Sequence, residues 1–243
     1  MDFEDIDLSE LEPRVIDWIN ADPDPQTAGE LQDLLARANC DAPDMATANR
    51  DEALVELADR FRTFLEFGTA GLRGRLGGGP NRMNRAVVIK TAAGLGNYLT
   101  KQLPDASDIR VVIGFDARHR SDEFAHDSAA VLTAQGKEVF LLTEPVPTPV
   151  LAFAIRQFGA EAAIMVTASH NPPQDNGYKV YLGGRLTRPE AKGVQIVSPA
   201  DAQIAQAIAA TGDAKSITRA ESGWEELDEE IAGSYLEALK DLP

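Results

Sequence analysis

Between Ile109 and Val166 short apolar runs alternate with amphipathic ones, and this alternation restricts the possible folds more than anything else in the chain. Ile109–Phe115, Glu138–Leu142 and Ala162–Val166 read as strands with no polar alternation inside them. Asp122–Ala134, closed by Gly136, reads as a helix. So does Thr148–Phe158, opened by Pro147 and Pro149 and closed by Gly159. Strands that are apolar on both sides must be covered on both sides, and helical crossovers make successive strands parallel. The expected class is therefore α/β, a three-layer α/β/α arrangement around a mainly parallel, mixed sheet. Tyr178–Leu182 returns after only a short polar loop, so it is expected as an antiparallel addition. Asp201–Ala210 reads as a further helix.

On either side of this region the pattern is weaker. Residues 1–45 are acidic, contain Asp22-Pro23-Asp24-Pro25, and read as a helical extension rather than as core. Asn49 and Glu52 form a candidate capping box for a helix whose apolar face is Leu54, Leu57, Ala58, Phe61 and Leu65. A glycine-rich loop starts at Gly68. Ala86–Lys101 reads as a buried helix, with Val87-Val88-Ile89 as a possible short strand. Gly94-Leu95-Gly96 lacks the third glycine and the preceding strand of a dinucleotide fingerprint. The expected organisation is an extension (1–45), an α/β domain (46–212), and a linker leading into a further domain (213–243). That last segment carries eight acids and one lysine between Glu221 and Asp241, with a helix at Ile231–Leu239.

Charge narrows the function. A formal net charge of −16 argues against nucleic acid and anionic membranes as partners. No apolar run approaches the roughly 18–20 residues that span a bilayer, and the acidic N-terminus does not resemble a targeting segment. The single cysteine, Cys40, excludes an internal disulfide framework and fits a free thiol in a reducing cytoplasm. Residues 1–66 hold 18 acidic and 5 basic side chains, whereas Phe67–Pro104 holds no acid but contains Arg73, Arg75, Arg82, Arg85, Lys90 and Lys101. An acidic chain that clears acids from a glycine-rich stretch is expected to bind a small anion there, the alternative being compositional drift.

Three segments follow predicted strands or open the domain. Thr167-Ala168-Ser169-His170-Asn171-Pro172-Pro173 is followed by Asp175-Asn176-Gly177-Tyr178-Lys179. It delivers a serine to a proline-held loop, with His170 and Lys179 as proton-transfer candidates. Taken alone, a serine beside a histidine is usually just an ordinary loop hydroxyl. The G-x-S-x-G frame of hydrolases is absent. Phe67-Gly68-Thr69-Ala70-Gly71-Leu72-Arg73-Gly74 offers free backbone amides and a guanidinium for a phosphate, without nucleotide-loop spacing. It could equally be a flexible surface loop. In Gly114-Phe115-Asp116-Ala117-Arg118-His119-Arg120-Ser121, Asp116 and Ser121 either shape a turn and cap the next helix, or Arg118 and Arg120 orient the serine loop or its phosphate.

Together FGTAGLRG, GFDARHRS and TASHNPPQDNGYKVY, in that order, resemble the N-terminal part of the α-D-phosphohexomutase family (phosphoglucomutases and phosphomannomutases), from about Phe67 to Ala210. The first and last look most like the branch containing phosphoglucomutase-2-like enzymes and phosphopentomutases. The resemblance implies a phosphosugar mutase with Ser169 phosphorylated at rest, Arg73 and Lys179 in the active site, and His170 as a further catalytic candidate. Thr69, Gly71, Arg73, Asn171 and Lys179 are the implied phosphate contacts. A sugar monophosphate would take the phosphoryl group from Ser169, reorient as a bisphosphate, and return its other phosphate. Lys179 or His170 would handle the hydroxyl proton, and Lys179 is favoured because neighbouring cations ease its deprotonation. Magnesium would be held through the phosphate on Ser169, but the family's D-x-D-x-D-R metal loop does not occur in this sequence. The chain is accordingly expected to be a fragment that binds magnesium poorly and is inactive without downstream domains. The competing reading is a non-catalytic sugar-phosphate-binding or interaction module derived from a mutase.

Overall fold

The computed structural model describes residues 7–40, 47–228 and 230–240. Among these, one mixed sheet runs in the order β1 (Leu72–Arg75), β5 (Asp175–Leu182), β4 (Ala162–Val166), β2 (Arg110–Phe115), β3 (Glu138–Leu142) and β7 (Glu225–Leu227). The two-residue β6 (Val194–Gln195) pairs with the far end of β5. Strands β4, β2, β3 and β7 are parallel. β5 is antiparallel to both β4 and β1, as expected of the quick return after residue 174.

The two-residue side-chain period explains why these strands are apolar throughout. In β2, Val111, Ile113 and Phe115 enter the core beneath α4 (Arg85–Gln102), α5 (Ser121–Ala134) and α7 (Ala200–Ala209). Val112 enters the opposite core, beneath α6 (Thr148–Phe158) and α8 (Glu230–Lys240). β4 divides the same way, with Ala162, Ile164 and Val166 on one side and Ala163 and Met165 on the other. The three-layer α/β/α arrangement expected from the alternation is the one observed.

Some elements differ from expectation. The acidic N-terminal stretch carries α1 (Leu8–Ala21) and α2 (Pro25–Ala38), which share a core with α3 (Thr47–Phe61) made of Leu11, Val15, Leu31, Leu34, Leu57 and Phe61. Glu10, Asp17 and Asp33 lie on the exposed faces, so a high acid content concealed buried stripes. Helix α3 begins before Asn49, so the Asn49–Glu52 pair lies within the helix and does not cap it. It also stops at Phe61. The carbonyls of Arg60 and Phe61 are taken by the Asn81 amide and the Arg14 guanidinium, and Leu65 packs beneath the sheet domain instead. Strand β1 falls where the sequence reads as loop, because a four-residue segment interrupted by Gly74 shows no alternation. β7 is an acidic edge strand that escapes a pattern reading for the same reason.

Ile113 is fully buried in the central strand. Ile113→Ala is expected to lower the unfolding free energy by about 2–5 kcal/mol, read as an earlier urea midpoint with an unchanged transition slope.

Candidate functional site

Strand β4 hands the chain to a turn at Thr167-Ala168-Ser169-His170-Asn171-Pro172-Pro173 at the carboxyl end of the parallel strands, where open sheets collect ligands. Ser169 and His170 are exposed. The Ser169 backbone has φ of 58°, in the left-handed region, and its amide donates to Thr167 Oγ1 at 2.9 Å. His170 Nδ1 lies 3.5 Å from Ser169 Oγ, the outer limit of a hydrogen bond.

A non-glycine residue held in that region costs about 1–3 kcal/mol, so something must hold it. Arg118 does. Its guanidinium donates to four backbone carbonyls, three in the loop and one at the start of β5: Ser169 at 2.9 Å, Asn171 at 2.7 Å, Pro172 at 2.8 Å and Asp175 at 3.0 Å. Bonds to a charged donor contribute about 1.5–3 kcal/mol each, so the set outweighs the strain. Asp116 aims this arginine, accepting from the Arg118 amide at 3.0 Å and standing 3.5 Å from its Nε.

The same turn is tied to the start of β5. Ser121 Oγ donates to Asp116 at 2.8 Å, so its hydroxyl shapes the turn and does not cap α5. Buried Asn176 donates to the His119 carbonyl and to Ser121 Oγ, at 3.0 and 2.9 Å. Arg120 faces away from the serine loop and pairs with Asp24 and Glu123. Of the two arginines considered for orienting the serine loop, only Arg118 touches it.

The glycine loop comes in from the other side. Gly71 donates to the Gly68 carbonyl at 2.8 Å and has φ of 76°. A Cβ there would sit 1.9 Å from the Tyr178 carbonyl oxygen, so only glycine lets this loop lie against β5. Thr69 is exposed, and its carbonyl accepts from Gln195. Arg73 pairs in register with Gly177, which puts Arg73 and Lys179 on one face of the sheet. The Arg73 Nε is buried without a partner. Burial, then repulsion from Arg73, holds the Lys179 ammonium below the usual lysine range, and Asp116 partly offsets both. Among the described residues neither cation forms an ion pair.

The other cations of the acid-free stretch divide. Arg82 pairs with Glu56 and Asp59, and Arg85 with Asp127 and Glu123, so these two serve the fold. Asn171 gives its side-chain amide to Asp175 at 2.9 Å and so shapes the loop. Among the described residues there is no group of three or more His, Cys, Asp or Glu side chains able to hold a metal. These residues therefore do not by themselves fit a resident magnesium ion. A cleft of about 780 Å³ between α1, Pro80 and residues 213–216 is lined by none of the motif residues. Ser169 and His170 stand exposed at the end of the sheet, away from that cleft.

Fold and site thus define an α/β domain with an exposed, clamped serine after β4 and, on the neighbouring strands β1 and β5, two cations that form no ion pair among the described residues. The family profile described as phosphoglucomutase/phosphomannomutase, alpha/beta/alpha domain I, matches residues 65–214, more than half of the chain, and the chain belongs to this family. It is 38% identical over 204 residues to a phosphopentomutase of Mus musculus, covering 82% of this chain and 29% of that protein. It is 37% identical over 188 residues to a phosphoglucomutase of Staphylococcus haemolyticus, covering 75% of this chain and 32% of that protein. The solved structure of a candidate phosphomannomutase from Thermus thermophilus superposes with a TM-score of 0.60 at 32% identity, over 73% of this chain and 36% of that one. The chain thus spans less than a third of the length of these two curated relatives. The match falls on the N-terminal part of the family, as the three motifs led one to expect.

Because Arg73 depresses the Lys179 ammonium, Arg73→Met is expected to raise the Lys179 pKa, while burial still keeps it below that of a free lysine. Titration of the Lys179 Nζ resonance by NMR checks this, and an unmoved or lowered value contradicts it.

Proposed function

We propose that this chain is the phosphoserine-bearing first domain of a phosphosugar mutase. It would move a phosphoryl group between hydroxyls of a hexose or pentose phosphate, in the cytoplasm, by way of a sugar bisphosphate. The observation that carries the proposal is Ser169, exposed and clamped by Arg118 in the loop between β4 and β5, together with Arg73 and Lys179 on one face of the adjoining strands, two cations with no ion-pair partner among the described residues. The phosphomutase relatives favour the same reading.

In this reading the bond from Ser169 Oγ to phosphorus breaks as a sugar hydroxyl oxygen bonds to that phosphorus. The hydroxyl proton passes to Lys179, whose lowered pKa raises its neutral fraction. Arg73, fixed opposite Gly177, neutralises charge on the transferring group. Thr69 is exposed to meet a phosphate, whereas the Gly71 amide is held by the Gly68 carbonyl, so Gly71 shapes the loop that presents it. His170 is the second candidate for the proton, through its 3.5 Å approach to Ser169 Oγ. Reversal from the other phosphate of the reoriented bisphosphate restores phosphoserine. Positioning and electrostatics supply most of the acceleration in such transfers.

A magnesium ion would neutralise phosphate charge when bound. We propose that it depends on the phosphate of Ser169 and on carboxylates from outside this chain. Sugar discrimination and full turnover are likewise proposed to need the segments that the longer relatives possess, so the 243-residue chain alone should turn over little.

Incubation with a hexose 1,6-bisphosphate and magnesium is expected to add about 80 Da at Ser169, read by intact mass, and Ser169→Ala should abolish the gain. A chain that binds sugar phosphate yet never takes the phosphoryl group, even with the downstream segments of a longer relative supplied, overturns the enzyme reading in favour of a binding module. Chelation with EDTA is expected to leave the melting temperature of the unphosphorylated chain unchanged, and a clear drop would reveal a metal site within it.

A further inference from the structure

Helix α2 lies outside the residues matched by the family profile, yet it holds the turn that carries Arg118 and the loop that follows β1. At its N-terminus Asp24 caps the helix, accepting from the Gln26 amide at 2.9 Å. The other carboxylate oxygen of Asp24 pairs with Arg120, and Asp24 is only 4% exposed. Arg120 sits between Arg118, which clamps the serine loop, and Ser121, which bonds to Asp116 and Asn176. Its φ is 66°, so the turn at this point is held in a left-handed conformation and an ion pair anchors it.

Further along the helix, Glu30 grips the second loop. Its carboxylate accepts from the Gly78 amide at 2.9 Å and from Arg60 at 2.8 Å, while Arg60 donates to the Gly78 carbonyl at 3.2 Å. Both backbone groups of Gly78 are thereby held. A Cβ on Gly78 would stand 2.6 Å from the Thr27 carbonyl and 2.7 Å from Leu31 Cγ, so the loop backbone lies flat on α2. This loop continues directly from β1, the strand that carries Arg73.

We propose that Asp24 and Glu30 are positioning residues for the serine site, and that α2 sets the spacing between the Arg73 strand and the Ser169 loop. The proposal rests on the mutase reading for its catalytic consequence, but not for its structural one. Neither residue touches a reacting atom. Each acts through a backbone segment, Asp24 through residues 118–121 and Glu30 through residues 77–79.

The test uses the whole chain with Asp24→Asn, Glu30→Gln and the double variant. Asparagine remains a good helix cap, so the first substitution removes the ion pair and keeps the cap. Asp33→Asn, on the exposed face of the same helix, is the control for lost charge. In the double variant the rate of Ser169 phosphorylation from a hexose 1,6-bisphosphate is expected to fall about tenfold, since small misplacements of reacting groups are costly. Its half-saturating concentration should stay put. Amide exchange in 165–178 should quicken several-fold, with 110–115 unchanged and Asp33→Asn like the parent.

Unchanged exchange in 165–178, or equal acceleration in the central strand, overturns the proposal by itself, because exchange needs no phosphoryl donor. A weakened half-saturation with an unchanged rate also overturns it, in favour of a role in binding. A parent chain that never takes phosphate, but whose serine loop loosens as expected in the variants, sinks the mutase reading and leaves the brace standing.

Discussion

The arrangement depends on one guanidinium. Arg118 reaches across from the end of β2 to three carbonyls in the loop after β4 and one at the start of β5, and those bonds hold Ser169 exposed and left-handed at the mouth of the sheet. A loop with two adjacent prolines has few amides to build its own ladder. Its shape must come from donors elsewhere, and a planar five-donor fork suits several carbonyls at once. Asp116 on the same turn aims the fork, so strand β2 and its turn determine where the serine stands.

Electrostatics follow a division of labour that net charge conceals. The N-terminal helices are strongly acidic, and several of their carboxylates face arginines of the α/β domain or of its glycine loop: Asp24 to Arg120, and Glu56 and Asp59 to Arg82. Glu30 and Glu56 hold Arg60 within the helical cluster, and Arg60 in turn holds the Gly78 carbonyl. Such pairs attach the extension to the sheet domain. Arg73 and Lys179 receive no such partner among the described residues. Their charge, close together, partly desolvated and only partly offset at Lys179 by Asp116, is what an incoming dianion would relieve, and burial strengthens that attraction relative to water.

The central layers were legible in the sequence to within a residue or two at most ends, because strands covered on both faces and helices with one apolar face leave different periods. Strands at Glu138–Leu142 and Ala162–Val166 and the helix at Thr148–Phe158 coincide with the observed elements. The edges were harder to read. β1 and β7 are short, half-exposed, and rich in glycine or glutamate, so pairing partners rather than side-chain pattern make them strands. The N-terminal helices are easily underrated because their buried leucines are few among many acids. At the site, Ser169, Arg73 and Lys179 could be singled out from their segments. That Arg118 would hold the serine loop while Arg120 turned to Asp24 could not, since the two stand two residues apart in one polar run.

By itself, the sequence determined the α/β class, the order of the central elements, the family, and the short list of groups able to meet a phosphate. Those follow from local periodicity and from motif chemistry, which need no knowledge of distant contacts. Only the tertiary structure decided which arginines are free and which are paired, that Gly71 and Gly78 carry close backbone contacts, and that α2 touches the turn beside Arg118 and the loop after β1. Each of these depends on segments dozens of residues apart meeting in space, and hydrogen-bond and ion-pair partners at such separations leave no periodic trace along the chain.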